Sequence, residues 1–210
     1  MKKIGKQVYF IPTGESVKRA GEGAFVRLKD GRILYAYTEY VGAGNEDADP
    51  ARLSGIYSSD EGETWGEPTI CTDNQYYVVN NDRVIRLRNG NLLFPANLHA
   101  SPGTDISVQC YFMSEDDGKT WKQLCQPLEH PDRTTTSGLQ EGGVYEMPDG
   151  TIWGWARTRS GSQYSMYSSD GGVTWTTPVG SELFTSPDAP MQVKDVGDYT
   201  VAVFNPKPRY

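Results

Sequence analysis

Histidine and cysteine are scarce in this chain of 210 residues, with two of the first and three of the second. Cys71, Cys110 and Cys125 are odd in number and none stands at Cys-x-x-Cys spacing. That pattern argues against a disulfide framework or zinc site and for buried free thiols; the expectation is no metal and no cofactor. Positive charge is also short, 20 Lys and Arg against 27 Asp and Glu, a net charge of −7. Nucleic acid is therefore not an expected partner, because a phosphate backbone needs a basic face. No apolar run approaches the roughly 20 residues that span a bilayer, so no membrane partner is expected. The opening MKKIGKQVYFIP has lysines but no apolar core of a secretory signal peptide. The expected location is cytoplasmic, although a secreted form with a trimmed leader would read the same. Helical periodicity is missing too: no stretch of ten or more residues spaces apolar side chains at i, i+3, i+4 and i+7. With 23 Gly and 13 Pro breaking the chain into short pieces, the class is all-β.

What the chain does have is repetition. SSDEGETW (58–65), SEDDGKTW (114–121) and SSDGGVTW (168–175) all fit S-x-D-x-G-x-T-W, at a spacing near 55 residues. A fixed motif at a near-fixed period marks repeated supersecondary units. Each copy makes sense as a turn between strands. The Ser and Asp side chains accept hydrogen bonds from turn N–H groups, Gly permits positive φ, and Trp buries a large ring against the sheet.

Ahead of each motif lies a hairpin pattern. AFVRLKDGRILYAY (24–37), RVIRLRNGNLLFPA (83–96) and VYEMPDGTIWGWA (144–156) each break at Asp-Gly or Asn-Gly between strand-like segments. The dipeptides predict type I′ turns. A third strand leads into the tryptophan motif and a short fourth strand follows it, giving a four-stranded antiparallel unit of about 50 residues, the size of a propeller blade.

The S-x-D-x-G-x-T-W motif resembles the Asp-box, or bacterial neuraminidase repeat, of sialidase-like β-propellers, and the resemblance runs from about Gly21 to the end of the chain. It implies a six-bladed sialidase-type propeller, of which this chain would hold about three and a half blades as a single incomplete domain over 1–210. The units fall at about 20–72, 76–128 and 139–180, with a half unit over 183–210 built from strands near MQVKDV and TVAVF. KQVYFIP is expected to supply an outer strand to the last blade, and a second copy of the chain is a possible closing partner.

In a propeller, residues just before each innermost strand face a shared funnel. Those segments here are GEGAF with Glu22, VVNNDRV with Asn80, Asp82 and Arg83, LQEGGV with Gln140 and Glu141, and SPDAPMQV with Asp188. Such a set suits a polar ligand site. The resemblance adds roles. QEGGVYEMPDG is similar to the sialidase stretch E-P-x-V-x-E-L-x-D-G, whose first Glu partners a nucleophilic Tyr, which puts that role on Glu141, with Gly142 where the family has Pro. An arginine that binds the sugar carboxylate falls at Arg157, with Arg159 as the alternative. The acid/base Asp falls at Asp47, or less well at Asp49, and NPKPRY places a further carboxylate-binding arginine at Arg209. Glu22, Asp82 and Arg83 complete the expected substrate contacts. The first arginine of the family triad has no counterpart in register in AGEGAF, Arg19 being displaced, and the Tyr nucleophile would lie beyond Arg209. The resemblance thus implies an exo-sialidase type of glycosidase acting on terminal sugars of glycoconjugates, weak or incomplete as this chain. A non-catalytic carbohydrate- or protein-binding propeller, or a truncated product, are the other readings.

Overall fold

A computed structural model describes residues 5–44, 49–75, 77–99, 104 and 106–206 of the chain. Among these residues there is no helix, and the strands form sheets in chain order. The first sheet runs β1 (Arg19–Arg27), β2 (Ile33–Tyr40), β3 (Ala51–Ser58) and β4 (Thr69–Ile70), all antiparallel neighbours. The second contains β5 (Tyr77–Val78), β6 (Ile85–Arg86), β7 (Leu92–His99), β8 (Ser107–Ser114) and β9 (Lys122–Gln123). Here the innermost strand is split: β5 and β6 both pair with β7. The third sheet is β10 (Gln140–Glu146), β11 (Ile152–Arg157), β12 (Ser162–Ser168) and β13 (Val179–Thr185). A hairpin of β14 (Gln192–Val196) and β15 (Tyr199–Val203) follows. No sheet closes on itself among the described residues, as suits an incomplete propeller of antiparallel blades.

The sheets stack face to face through apolar layers. Ala24, Ala36 and Leu53 of the first meet Phe94, Ala96 and Phe112 of the second. Leu93, Tyr111 and Met113 meet Val144, Ile152 and Met166 of the third. Trp155 then packs on Met191 and Val193 at the hairpin. Cys71 and Cys110 are buried free thiols, and Cys125 is a half-buried one; burial pushes the first two up to about 12, which keeps them as inert thiols.

Three details depart from the sequence expectations. The Asp-Gly and Asn-Gly hairpins are not type I′, since Gly31, Gly90 and Gly150 have φ near 90° while the preceding residue is not left-handed. Each is a type I turn followed by a left-handed Gly, closed by Gly31 N–H to Leu28 O, Gly90 N–H to Leu87 O and Gly150 N–H to Met147 O. The Asp or Asn holds this form by accepting the N–H two residues on, at Arg32, Asn91 and Thr151. KQVYFIP forms no strand and does not join the last hairpin: its Tyr9 lies 6.5 Å from the Trp65 ring, on the first sheet. Trp65, Trp121 and Trp175 are equivalent, but half-buried rather than buried. Each ring donates its Nε1–H to the Gly carbonyl of its own turn and lays only one face on the sheet, so an edge stays at the surface.

The Asp-box turns share their main hydrogen bonds. Ser58, Ser114 and Ser168 each accept the N–H of the turn glycine, at 2.9, 2.7 and 2.8 Å. Asp60, Asp116 and Asp170 accept both the N–H and the hydroxyl of the following Thr. Ile33 pairs with Ser58, Leu92 with Ser114 and Ile152 with Ser168, so all three turns sit at one end of the sheets. Tyr40, His99 and Arg157 end the same strands at the other.

Candidate functional site

At that other end the inner strands are kinked. Glu22, Asp82 and Glu141 have φ of 35°, 61° and 43°. Each breaks its strand: at a bulge between Gly21 and Gly23, between β5 and β6, and at a bulge between Gln140 and Gly143. Left-handed backbone at a residue with a Cβ costs about 1–3 kcal/mol, and its recurrence at one structural position points to a site.

Glu141 is held from three sides. Its backbone N–H donates to Asn97 Oδ1 at 3.1 Å, and Asn80 Nδ2 donates to its Oε1 at 3.2 Å. Arg157 Nη1 meets Oε2 at 2.6 Å. Arg157 also donates Nε–H to Asp188 Oδ1 at 2.5 Å, while Arg159 Nε meets Asp188 Oδ2 at 2.8 Å. Burial works against the charge of Arg157, but its bonds to Asp188 and Glu141 outweigh that and hold its pKa above the ordinary value. For Asp188 burial likewise pushes upward and is outweighed by Arg157 and Arg159, which keep the carboxyl below its usual range. Glu141, Arg157 and Arg159 of this network wall a cavity of about 450 Å³ together with Arg19, Glu22, Tyr40, Asn80 and Asn97, while Asp188 holds the two arginines without lining it. The Arg19 guanidinium lies 3.8 Å over the Tyr40 ring.

Of the residues expected at the site, Glu22, Glu141 and Arg157 line this cavity. Asp82 and Arg83 do not: they line a second cavity of about 280 Å³ with Trp155 and Gln192. The reason is the left-handed turn at Asp82, which carries the loop across to the hairpin. Arg83 Nη1 donates to Gln192 Oε1, Gln192 Nε2 donates to Asp82 O at 3.0 Å, and Lys194 pairs with Asp82. Arg83 is 5% exposed, and burial draws its pKa down to about 10 against the pull of Glu141, Asp82 and Glu22. It therefore braces the sheets beside the site rather than opening onto it. Asp47 and Arg209 lie outside the described residues. Among the described residues no His, Cys, Asp and Glu gather into a group able to hold a metal ion.

Sequence reasoning missed Tyr40, Asn97 and the cavity position of Arg19. Counting the hairpin register back from Asp30-Gly31 sets Arg19 opposite Val41; the bulge at Glu22 shifts the pairing by one and brings Arg19 opposite Tyr40, a shift no local pattern announces. Nothing local marks Asn97, whose role comes from the packing of β7 against β10.

An all-β stack of Asp-box sheets with arginines and carboxylates gathered at the end away from the boxes defines a sialidase-like propeller. The family model described as a BNR repeat-like domain matches residues 5–209, and the chain belongs to that family. A curated relative, the anhydrosialidase of Macrobdella decora, is 28% identical over 132 residues, 59% of this chain and 16% of its own length. Among solved structures, a protein of unknown function from Dyadobacter fermentans DSM 18053 matches with a TM-score of 0.71 at 21% identity, covering 91% of this chain and 57% of that one. The intramolecular trans-sialidase of Ruminococcus gnavus, solved with oseltamivir carboxylate, matches with a TM-score of 0.64 at 15% identity, covering 83% and 57%. The chain thus spans about a sixth of the curated relative and little more than half of these solved chains.

Proposed function

We propose that the cavity between the first three sheets is the sugar site of a sialidase-like glycosidase, taking the terminal sugar of a glycoconjugate. The observation that supports this most is the Glu141–Arg157 pair on the cavity wall, a carboxylate and a guanidinium at 2.6 Å in the positions where the family has its base and a carboxylate clamp. Guanidinium forks suit the carboxylate of an acidic sugar, and Arg19, Arg157 and Arg159 gather here in a chain of net charge −7. Glu141, fixed by Asn80 and Asn97, is placed to hold or move a proton at its Oε1. Asp47 is proposed as the acid/base and Arg209 as a further clamp. A second copy of the chain, covering the open side of the sheets, is the proposed protein partner; light scattering that finds only monomer removes it.

The test is calorimetric titration of the 210-residue chain with free N-acetylneuraminic acid and with galactose. Binding of the acid alone, abolished by Arg157→Ala in a variant that melts like the parent, is expected. Equal binding of both sugars, or none, sinks the assignment.

A further inference from the structure

The sugar-site reading leaves one feature unexplained, the bridging of Arg157 and Arg159 by a single carboxylate of the chain itself. We propose that Asp188 is a displaceable internal carboxylate, which holds at these two arginines the place that an incoming ligand's carboxylate takes. The inference rests on the proposed sugar site.

The geometry is that of a bound ligand. One oxygen of Asp188 receives Arg157 Nε at 2.5 Å and the other receives Arg159 Nε at 2.8 Å, so one carboxylate spans two guanidinium groups. Charge counting gives the same answer. Arg19, Arg157 and Arg159 on the wall are matched by Glu22 and Glu141 on the wall and by Asp188, which pairs with two of these arginines from beside it, so the cluster is balanced before any ligand arrives. A further anion entering that set would sit in a net negative cluster. If one resident carboxylate leaves for solvent, the balance returns and each bond lost is replaced by one made.

Asp188 is the carboxylate free to leave. Glu141 sits on left-handed backbone, its N–H is tied to Asn97, and Asn80 holds one of its oxygens in addition to the arginine on the other. Asp188 lies between β13 and β14, outside any strand, with a side chain 32% exposed. The backbone on either side of it is pinned, Ser186 N–H to Gly161 O at 3.0 Å and Ala189 O to Gln163 Nε2 at 2.7 Å. Rotation of the side chain alone releases both arginines without moving the loop. A neutral sugar has no group to exchange for it, so Asp188 sets a preference for carboxylate-bearing ligands and lowers their apparent affinity by the fraction of time the seat is open.

The experiment follows the Nε–H resonances of Arg157 and Arg159 in the 15N-labelled chain while sodium acetate is added at constant ionic strength. The parent, Asp188→Asn and Asp188→Ala are compared. A seat open about one-tenth of the time predicts acetate binding about tenfold tighter in the variants, with both resonances moving toward their parental positions. Unchanged or weaker acetate binding in the variants makes Asp188 a fixed brace of the arginines and overturns the proposal. One arm needs no variant: in the parent, saturating acetate is expected to shift the Asp188 13Cγ resonance to that of a solvated carboxylate. Movement of the arginine signals without it overturns the proposal equally. N-acetylneuraminic acid and its methyl ester form the last arm, where the acid alone is expected to gain in the variants. If acetate gains while no form of the chain binds the acid sugar, the exchangeable seat stands and the sugar site falls.

Discussion

Gly142 shows how one residue changes what a site requires. The sialidase pattern has Pro at this position, and the chain has used the vacated space. Gln109, fully buried, reaches into it and donates Nε2 to Ala96 O at 3.0 Å and Cys110 O at 2.9 Å. A Cβ at Gly142 would collide with the Gln109 amide. Gly142→Ala is therefore expected to destabilise by about 1–3 kcal/mol, as overpacking does, and adding Gln109→Ala is expected to recover part of the loss. Urea unfolding of the two variants and the parent checks both outcomes, and a Gly142→Ala midpoint equal to the parent's removes the packing account. Asn97 gives a second residue-scale prediction. It accepts the N–H of the strained Glu141, so Asn97→Ala leaves that group unpaired at a cost of about 1–3 kcal/mol. The same variant is expected to weaken sugar binding, since Glu141 loses its backbone tether; calorimetry beside the unfolding curve reads both. At this scale the sequence was informative about residue type and poor about placement. Glu141 and Arg157 were legible because the family pattern marks both, although the bulge at Glu141 leaves Gln140 opposite Arg157 in the ladder. Asp82 and Arg83 were misplaced because the sense of the left-handed turn at Asp82 is set by packing against β14, far along the chain.

The Asp-box is the element whose physics was most legible, since Ser, Asp, Gly, Thr and Trp all serve contacts within eight residues. Its carboxylates are held at about 2 in all three copies. For Asp60 and Asp170 the hydroxyl and N–H of the next Thr are the largest cause; for Asp116 partial burial opposes the shift and is outweighed by Thr120 and Ser114. These pKa values lie below the ordinary 3.8, so the unfolded chain binds the proton more readily than the folded one. The stabilisation is complete above pH 4 and is lost as the pH falls from there through about 2. The middle box tests this best, because Tyr57 of the first sheet donates its hydroxyl to Gly118 O at 2.7 Å and ties the turn to a neighbour. Asp116→Ala is expected to cost about 1 kcal/mol at pH 7, a figure kept small because the carboxylate is exposed. Urea midpoints of parent and variant are expected to converge as the pH approaches 2; a gap that persists there would put the effect in packing rather than in the carboxylate. What the sequence could not show at this scale was the turn between β1 and β2. Asp-Gly serves type I′ and the type I turn with a left-handed glycine alike, and strand twist chooses between them.

For the whole molecule, the sheet stack follows from three repeats, but the catalytic competence of the chain depends on how the cavity is furnished. Retaining hydrolysis of a sialoside needs a nucleophile that can approach an anomeric carbon already bearing a carboxylate, which is why a Tyr serves better there than an acid. Among the described residues, the tyrosine on the cavity wall is Tyr40, whose ring lies under the Arg19 guanidinium. Glu141 is a carboxylate of the cavity wall beside the proposed clamp, yet it is spent on Arg157 and would face the sugar's own negative charge. Binding and catalysis should therefore separate. With Tyr40 under Arg19 and Glu141 paired to Arg157, the 210-residue chain is expected to bind N-acetylneuraminic acid through Arg157 while hydrolysing an aryl sialoside slower than an ordinary glycosidase by about three or more powers of ten, the scale on which a nucleophile acts. The check is release of the aryl group by purified protein, beside affinity for the free sugar. Turnover at an ordinary glycosidase rate, abolished by Glu141→Gln with sugar affinity retained, would show that Glu141 does the chemistry after all and that the Arg157 ion pair opens during each cycle.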